Sequence, residues 1–272
     1  MPQILTGDGT KIWMLRDRKA QFTRWGAWLV GALIFLWCWQ QISASTEWFF
    51  VWDAPRIAAD IGGRAMPPRW SYIDKLWGPL WDTINIATLG TFFALIMAVP
   101  IAFLAARNTT PSTMIVRPLA LLIIVSSRSI NSLIWALLLV AIIGPGIFAG
   151  MVAIAIRSVG FCAKLLYEAI EEIDEKQVEA VTATGASRWQ VMAYGIVPQI
   201  MPAFAGIAVF RWDINIREST VLGLVGAGGI GLQLKGSLDT LAWPQVTLIL
   251  IVIFATVILS EWVSAKVRGA II

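Results

Sequence analysis

Five polar or charged side chains lie close together inside an otherwise apolar stretch of the chain: Arg211, Asp213, Asn215, Arg217 and Glu218. They follow Pro198, where we expect a helix to begin, by 13 to 20 residues. At ~1.5 Å per residue this is about 20–30 Å along a helix. Ionisable groups at such a depth are costly unless they face a partner or a water-filled cavity. They are therefore candidates either for lining a solute pathway or for a structural ion-pair network.

The spacing of these residues predicts two stripes on one helix. Asp213 and Arg217 are four residues apart and can pair on one face, and Arg211 and Asn215 form a second stripe. Arg211 and Arg217 are candidate contributors to a positive cavity, which does not by itself identify a solute. Arg128 and Arg157, which lie in other apolar segments, could contribute to the same positive potential.

A glycine-rich run follows directly and contains Gly226, Gly228, Gly229 and Gly231. Three of these glycines fit the spacing G-x-G-x-x-G, but helical segments flank the run and a strand–helix–strand unit is missing, so we reject a dinucleotide site. Glycines here favour close helix contact and a sharp re-entrant turn within the membrane.

Catalytic and metal chemistry find no support in the sequence. The chain has no histidine, which removes the usual general base and metal ligand. Its two cysteines, Cys38 and Cys162, both fall in apolar segments and suggest neither a disulfide nor a metal site. We therefore predict no catalytic residue, no metal site and no cofactor in this chain.

A polar stretch over 171–198 precedes the charged segment. Its first part is rich in good helix formers, Gly185 is placed to end that helix, and Ser187 can cap a second short helix. Pro198 marks the expected start of the next span. The pattern predicts helix, glycine turn and helix, a shape that could present a compact knob or be an ordinary solvated hairpin.

The elements that must position these residues are membrane helices. The chain of 272 residues is 58% hydrophobic and 14% charged, with 15 tryptophans, whereas soluble domains are roughly 25% charged. Bilayer crossings need about 20 apolar residues. Six candidate segments occur: 25–42, 84–106, 119–143, 147–166, a fifth from 198 that charge interrupts at Arg211, and 246–263. One all-α membrane domain of about six transmembrane helices is the simplest account.

Basic residues predict the orientation, because they concentrate on the cytoplasmic side. The N-terminal cluster comprises Lys11, Arg16, Arg18, Lys19 and Arg24. Further basic residues follow the second, fourth and sixth segments, whereas four in the opposing loop count against the assignment. We expect both termini in the cytoplasm.

This orientation divides the chain into four parts. They are a cytoplasmic segment 1–24, a first transmembrane helix 25–42, a periplasmic segment 43–83 and a core 84–265. The aromatic residues and single charges of 43–83 favour an amphipathic stretch in the outer interface over a substrate site.

The loop resembles the EAA loop of ATP-binding-cassette (ABC) importer permeases. That pattern is Glu-Ala-Ala, three residues, Gly, nine residues, Ile-x-Leu-Pro, and Glu179, Ala180, Gly185 and Pro198 fall on it. Val181, Gly195 and Val197 depart from it mildly. The resemblance implies that the loop is the coupling helix that docks on the ATPase subunit, with these four residues as its determinants.

The block from Asn215 to Gly231 is similar to phosphonate-type permeases within the methionine-permease-like fold. Both blocks together cover about 168–232. The resemblance implies a homodimeric, multi-pass permease of the bacterial inner membrane that imports phosphonate, phosphite or hypophosphite. It also implies two ATPase subunits, which bind ATP and Mg, and a periplasmic binding protein.

Other functions remain open at this point. An ABC permease could carry another small solute such as an amino acid. An ion-coupled secondary transporter could also use intramembrane Asp213 and Arg217, although the EAA-type loop argues against it. A membrane enzyme would need clustered acid, base or metal groups, which the apolar segments do not provide. The sequence contains no G-x-x-x-x-G-K-[ST] nucleotide loop, so ATP hydrolysis is expected in a separate chain.

Overall fold

A computed structural model describes residues 3–5, 7–9, 11–13 and 18–271 of the chain. The chain forms two compact units, residues 1–61 and 62–272, and each is described by itself. The N-terminal segment predicted for 1–24 lies partly outside the described residues.

The first unit combines a short β-hairpin with apolar helix. β1 (Gln3–Leu5) pairs antiparallel with β2 (Lys11–Trp13). α1 (Arg18–Ser45) follows, and the described side chains of its apolar part are all at least partly exposed. This exposure suits a helix whose solvent is lipid. α2 (Trp48–Ala65) begins in this unit and lies within the predicted interfacial segment 43–83.

The second unit begins its membrane helices with α3 (Trp77–Ala105), α4 (Val116–Ser129), α5 (Ser132–Ile143) and α6 (Ile147–Glu171). A 3-10 turn at Trp70–Lys75 precedes α3. Small residues let α3 and α6 approach closely: a Cβ at Gly90 would stand 2.8 Å from Cγ2 of Ile154. Such small-residue contacts are typical of helix packing in membranes.

The third predicted span, 119–143, is not one straight helix. α4 and α5 meet at 86°, because the polar run Ser127–Asn131 interrupts the apolar segment. The Asn131 side chain accepts the N–H of Leu133, 3.1 Å away, and so caps α5. The hydroxyl of Ser127 donates to the Ile156 carbonyl of α6. The break therefore satisfies polar groups that a continuous helix would have left facing apolar surroundings.

The remaining elements carry the predicted loop and the charged segment. They are α7 (Glu175–Ala183), α8 (Arg188–Val191), a π-helical turn (Met192–Ile196), α9 (Val197–Leu222), a 3-10 turn (Gly223–Val225), α10 (Ile230–Asp239) and α11 (Trp243–Ile271). The fifth apolar segment is thus one unbroken helical run from Arg188 to Val225. The charged residues do not interrupt it, because most of them find partners on neighbouring helices.

Within the described residues, five helices are long and apolar enough to cross a membrane, or six if α4 and α5 together form one crossing. The predicted all-α membrane class with about six spans is confirmed. The helices extend beyond the predicted segments at most ends: α3 begins at Trp77 and α11 continues to Ile271.

Candidate functional site

The five predicted residues of α9 differ sharply in exposure. Arg211, Asp213 and Asn215 are buried, Glu218 is mostly buried, and Arg217 keeps 49% of its side chain exposed. Within this chain, Asp213 is therefore buried, whereas Arg217 is half exposed.

Glu218 lies between two arginines. Its Oε1 is 3.0 Å from Nη1 of Arg157 on α6, and its Oε2 is 3.6 Å from Nη2 of Arg211. Arg211 also donates through Nε to the Ser158 hydroxyl at 2.9 Å, and its guanidinium lies 5.0 Å from the centre of the Phe161 ring. The cluster has two positive groups and one negative group, so it attracts a further anion.

Asn215 holds three helices together. Its Nδ2 donates to Oγ1 of Thr91 on α3 at 2.7 Å and to Oγ of Ser158 on α6 at 3.1 Å. Ser158 thereby contacts both Asn215 and Arg211. A buried amide with satisfied partners fixes how α9 packs and rotates against α3 and α6. In this structure Asn215 is a packing residue.

The i,i+4 pair predicted for Asp213 and Arg217 is present. The Asp213 carboxylate accepts from Nη2 of Arg217 and, at 2.8 Å, from the Ser260 hydroxyl of α11. Ser260 is a partner that sequence reasoning missed, as are Thr91 and Ser158. The sequence could have identified these three residues, because hydroxyl side chains inside apolar helices commonly form hydrogen bonds across helix interfaces.

Because Asp213 is buried and Arg217 is half exposed, the two single deletions should differ. Arg217→Ala leaves a buried carboxylate with only the Ser260 hydroxyl, and we expect a loss of about 3 kcal/mol in the free energy of unfolding. Asp213→Ala removes the partner of Arg217, whose side chain is already half exposed in this chain, and should cost less. The double variant should recover most of the Arg217→Ala loss. Thermal unfolding of the purified permease measures all three.

The exposed i,i+4 pair of Lys164 and Glu168, 3.4 Å apart on α6, provides the control. Lys164→Ala should change stability by less than about 1 kcal/mol, as is usual for exposed pairs. Equal losses in Arg217→Ala and Lys164→Ala would show that the Asp213 carboxylate does not depend on Arg217.

A cavity of about 420 Å³ opens beside the Arg157–Glu218 pair. Asn131, Ser132, Arg157 and Glu218 supply its polar wall, and apolar residues of α5 and α9 supply the remainder. Nη1 of Arg157 also donates to the Ser132 hydroxyl at 3.3 Å. The bend between α4 and α5 therefore helps to form this cavity, because it brings Asn131 and Ser132 to its wall.

The glycine run makes a tight reversal between α9 and α10. Gly226, Gly228 and Gly229 have φ values of 89°, 81° and 76°, which favour glycine strongly. The Thr83 hydroxyl accepts the N–H of Ile230 at 2.8 Å and fixes the start of α10. A helix rather than a strand leads into the run, so the structure agrees with rejecting a dinucleotide site.

The polar loop has the helix, glycine turn and helix that its sequence pattern predicts. Asp174 caps α7, Gly185 has φ 79°, and Ser187 forms a capping box with Gln190 at the start of α8. Glu179 and Ala180 are exposed on α7, and Pro198 occupies the first turn of α9. The loop thus offers an accessible surface with a defined shape.

Gln199 anchors this loop to α9 and was not singled out from the sequence. Its Oε1 accepts the backbone N–H of Asp174 at 3.0 Å, and its Nε2 donates to the Gly195 carbonyl at 2.7 Å. Within the described part of the chain, no group of three His, Cys, Asp or Glu side chains could hold a metal ion.

This chain is similar in sequence to a family of membrane transport proteins and to individual members of known function. Residues 90–265 match the family described as binding-protein-dependent transport system inner membrane component. The chain is 39% identical over 267 residues to the phosphite transport system permease protein PtxC of Stutzerimonas stutzeri, covering 97% of this chain and 92% of that relative. It is 36% identical over 232 residues to the putative phosphite transport system permease protein HtxC of the same organism, covering 81% and 82%.

A solved structure of the MetNI methionine ABC transporter in an inward-facing conformation has the same fold. The TM-score is 0.64 at 20% identity, and the match covers 75% of this chain and 99% of that one. At this identity the likeness concerns the fold alone. The methionine-permease-like fold expected from the sequence is confirmed.

Proposed function

This chain belongs to the family of binding-protein-dependent transport system inner membrane components, and on that premise we propose that it is the permease subunit of an ABC importer for a phosphorus oxyanion. The observation that carries the proposal is the 39% identity to a phosphite transport permease over 97% of this chain. Phosphite, hypophosphite and phosphonates are the candidate solutes.

The charge arrangement supports an anionic solute. Arg217 of α9 is neutralised by Asp213, whereas Arg157 of α6 and Arg211 of α9 share the single carboxylate of Glu218. Arg157 and Glu218 line the cavity, and Arg211 is buried next to Glu218, so the surroundings of the cavity carry a net positive charge. A solute pathway with fixed positive charge lowers the barrier for an anion and raises it for a cation.

The partners follow from the subunit's role. We infer a second copy of the permease, two ATP-binding-cassette subunits that bind ATP and Mg, and a periplasmic binding protein that delivers the solute. The exposed surface around Glu179, Ala180 and Gly185 is the proposed docking knob for the ATPase. Since this chain is proposed as a non-catalytic subunit, ATP hydrolysis occurs on the partner.

The proposed location is the bacterial inner membrane, with both termini and the loop 171–198 in the cytoplasm and 43–83 on the periplasmic side. The basic N-terminal cluster supports this orientation. Single cysteines at Met66 and Lys176 should be labelled from opposite sides of the membrane. Labelling of both from one side would reject this topology, and labelling of Met66 from the cytoplasm with Lys176 from the periplasm would reverse it.

Reconstitution of the permease with its ATPase and binding protein in proteoliposomes tests the function. We expect ATP-dependent uptake of phosphite, hypophosphite or methylphosphonate, and stimulation of ATP hydrolysis by the same solute. Methionine uptake is measured in the same way to test the alternative that the permease carries an amino acid. Uptake of methionine alone would support that alternative, and uptake driven by an ion gradient without ATP would support a secondary transporter.

A further inference from the structure

The cavity beside α5 and α9 is lined by one basic residue among those that the structure describes, and this residue is already paired. Arg157 lines the cavity with 31% of its side chain exposed, and its Nη1 lies 3.0 Å from Oε1 of Glu218. Glu218, which also lines the cavity, is 17% exposed. A carboxylate of this chain thus occupies the position that a bound oxyanion would take on Arg157.

The second oxygen of Glu218 is poorly satisfied. Oε2 of Glu218 and Nη2 of Arg211 are both buried and lack a hydrogen-bond partner among the described residues, although they lie only 3.6 Å apart. A shift of somewhat less than 1 Å would join them, since hydrogen bonds between charged groups are about 2.7–2.9 Å long. Glu218 therefore has a second cation available if it leaves Arg157.

Together, these two observations indicate that Glu218 can exchange its partner Arg157 for Arg211. When an anion binds Arg157, Glu218 does not become a buried charge without a partner, because Arg211 can take it completely. Breaking a buried ion pair is costly mainly when one charge is left uncompensated. The exchange also neutralises the cluster, which has two arginines and one carboxylate before the anion arrives.

We propose that this cavity is a binding site for a small tetrahedral oxyanion, in which the ligand competes with Glu218 for Arg157 and Glu218 moves to Arg211. The proposal rests on the proposed function and names the site of recognition within it. Ser132 and Asn131 supply hydroxyl and amide groups at the same wall. Glu218 is then a built-in competitor that keeps the site weak, as a transport site must be if the solute is to leave.

The position of the cavity agrees with a site of passage. Glu218 lies 20 residues beyond Pro198 on the unbroken helix α9, which is about 30 Å from that proline. With Pro198 at the cytoplasmic surface, the cavity lies toward the periplasmic side. It is thus placed to receive a solute that comes from a periplasmic binding protein.

Equilibrium binding of radiolabelled phosphite to the full-length permease, purified in a phosphate-free maltoside detergent, tests the exchange. Glu218→Gln should tighten phosphite binding by about tenfold, because the competing charge is gone and a tenfold change corresponds to 1.4 kcal/mol. Arg157→Gln should abolish binding. Glu218→Gln should bring no gain when Arg157→Gln is also present, since the competition requires Arg157.

Lys164→Gln is the control, because it removes one positive charge from the exposed face of the same helix α6. It should bind phosphite as the parent does. Equal gains from Glu218→Gln with and without Arg157 would show a general effect of charge and overturn the exchange. Weaker binding in Glu218→Gln would show that Glu218 orients the ligand and would overturn it equally. Each variant is first compared with the parent in thermal unfolding, and Arg157→Met, which also removes the charge, replaces Arg157→Gln if the latter unfolds.

A phospholipid headgroup has the same chemistry as a free oxyanion, so a second arm adds phosphatidylglycerol to the detergent solution. Unchanged phosphite binding supports a free solute, whereas loss of phosphite binding assigns the cavity to lipid and overturns the proposal. Failure of the inference is distinguishable from failure of the function. No phosphite binding at Arg157 with intact ATP-driven phosphite uptake rejects the site alone. Arg157-dependent binding without uptake of any phosphorus oxyanion rejects the function alone.

Discussion

Replacing Gly231 by alanine is expected to prevent the permease from folding. A Cβ at this position would stand 1.9 Å from the carbonyl oxygen of Thr220 and 2.9 Å from Cα of Gly223. Both neighbours belong to backbone, which cannot move aside as a flexible side chain can. Overpacking commonly costs about 1–3 kcal/mol, and a collision with backbone at this distance should exceed that range. The measurements are membrane yield and thermal unfolding.

Gly236 provides a matched control in the same helix, α10. None of the described atoms would lie within 4 Å of a Cβ at Gly236. Gly236→Ala should therefore fold normally and gain stability, because alanine is favoured over glycine within helices by about 0.5–1 kcal/mol. If Gly231→Ala and Gly236→Ala gave the same yield and melting temperature, the close contact between α9 and α10 would be wrong.

Replacing Gly185 by valine should uncouple transport from ATP hydrolysis and leave folding intact. Gly185 has φ 79°, and none of the described atoms lies within 4 Å of the position a Cβ would take. The effect is therefore one of backbone conformation. A left-handed conformation costs an L-residue about 1–2 kcal/mol, and more for a β-branched one. The turn between α7 and α8 would then reorganise, and the proposed docking knob would lose its shape.

Gly185→Asn separates conformation from side-chain size, because asparagine adopts the left-handed region far more readily than valine. We expect Gly185→Asn to retain most solute-stimulated ATPase activity and uptake, and Gly185→Val to lose at least about tenfold, as a conformational cost above 1.4 kcal/mol implies. Both variants should reach the membrane in equal amounts. Similar activity in the two variants would mean that the left-handed turn is not required for coupling.

Local spacing predicted the features that are confined to one stretch of chain. The Asp213–Arg217 pair follows from the helical period, and the turn at Gly185 follows from the composition of its flanks. The pair and the turn could both be predicted because each depends only on residues that are close together in the sequence. The exposure of Arg217 within this chain could not be predicted for a related reason: its position along the helix is given by counting, whereas the face it occupies depends on which helices pack there.

Contacts between helices lay beyond the reach of the sequence. Glu218 lies between Arg157 of α6 and Arg211 of its own helix, α9. Nothing in the linear pattern says which turn of α6 lies opposite α9. The bend between α4 and α5 had a better signal, since Ser127, Arg128 and Asn131 interrupt an apolar run. A polar run at membrane depth requires its own hydrogen bonds, and helix ends provide groups that can make them.

The π-helical turn at Met192–Ile196 has a consequence for how the loop and the charged cluster are linked. Each residue of an α-helix advances the chain by about 100° around its axis, and a π turn contains one residue more than an α turn. The turn therefore offsets α9 by about 100° relative to the phase that an uninterrupted α-helix would continue from α8. Five residues at the end of the loop 171–198 thus set the angular direction in which Arg211 and Glu218 point. If this turn changed from π-helical to α-helical winding, the side chains of Arg211 and Glu218 would rotate together about the axis of α9.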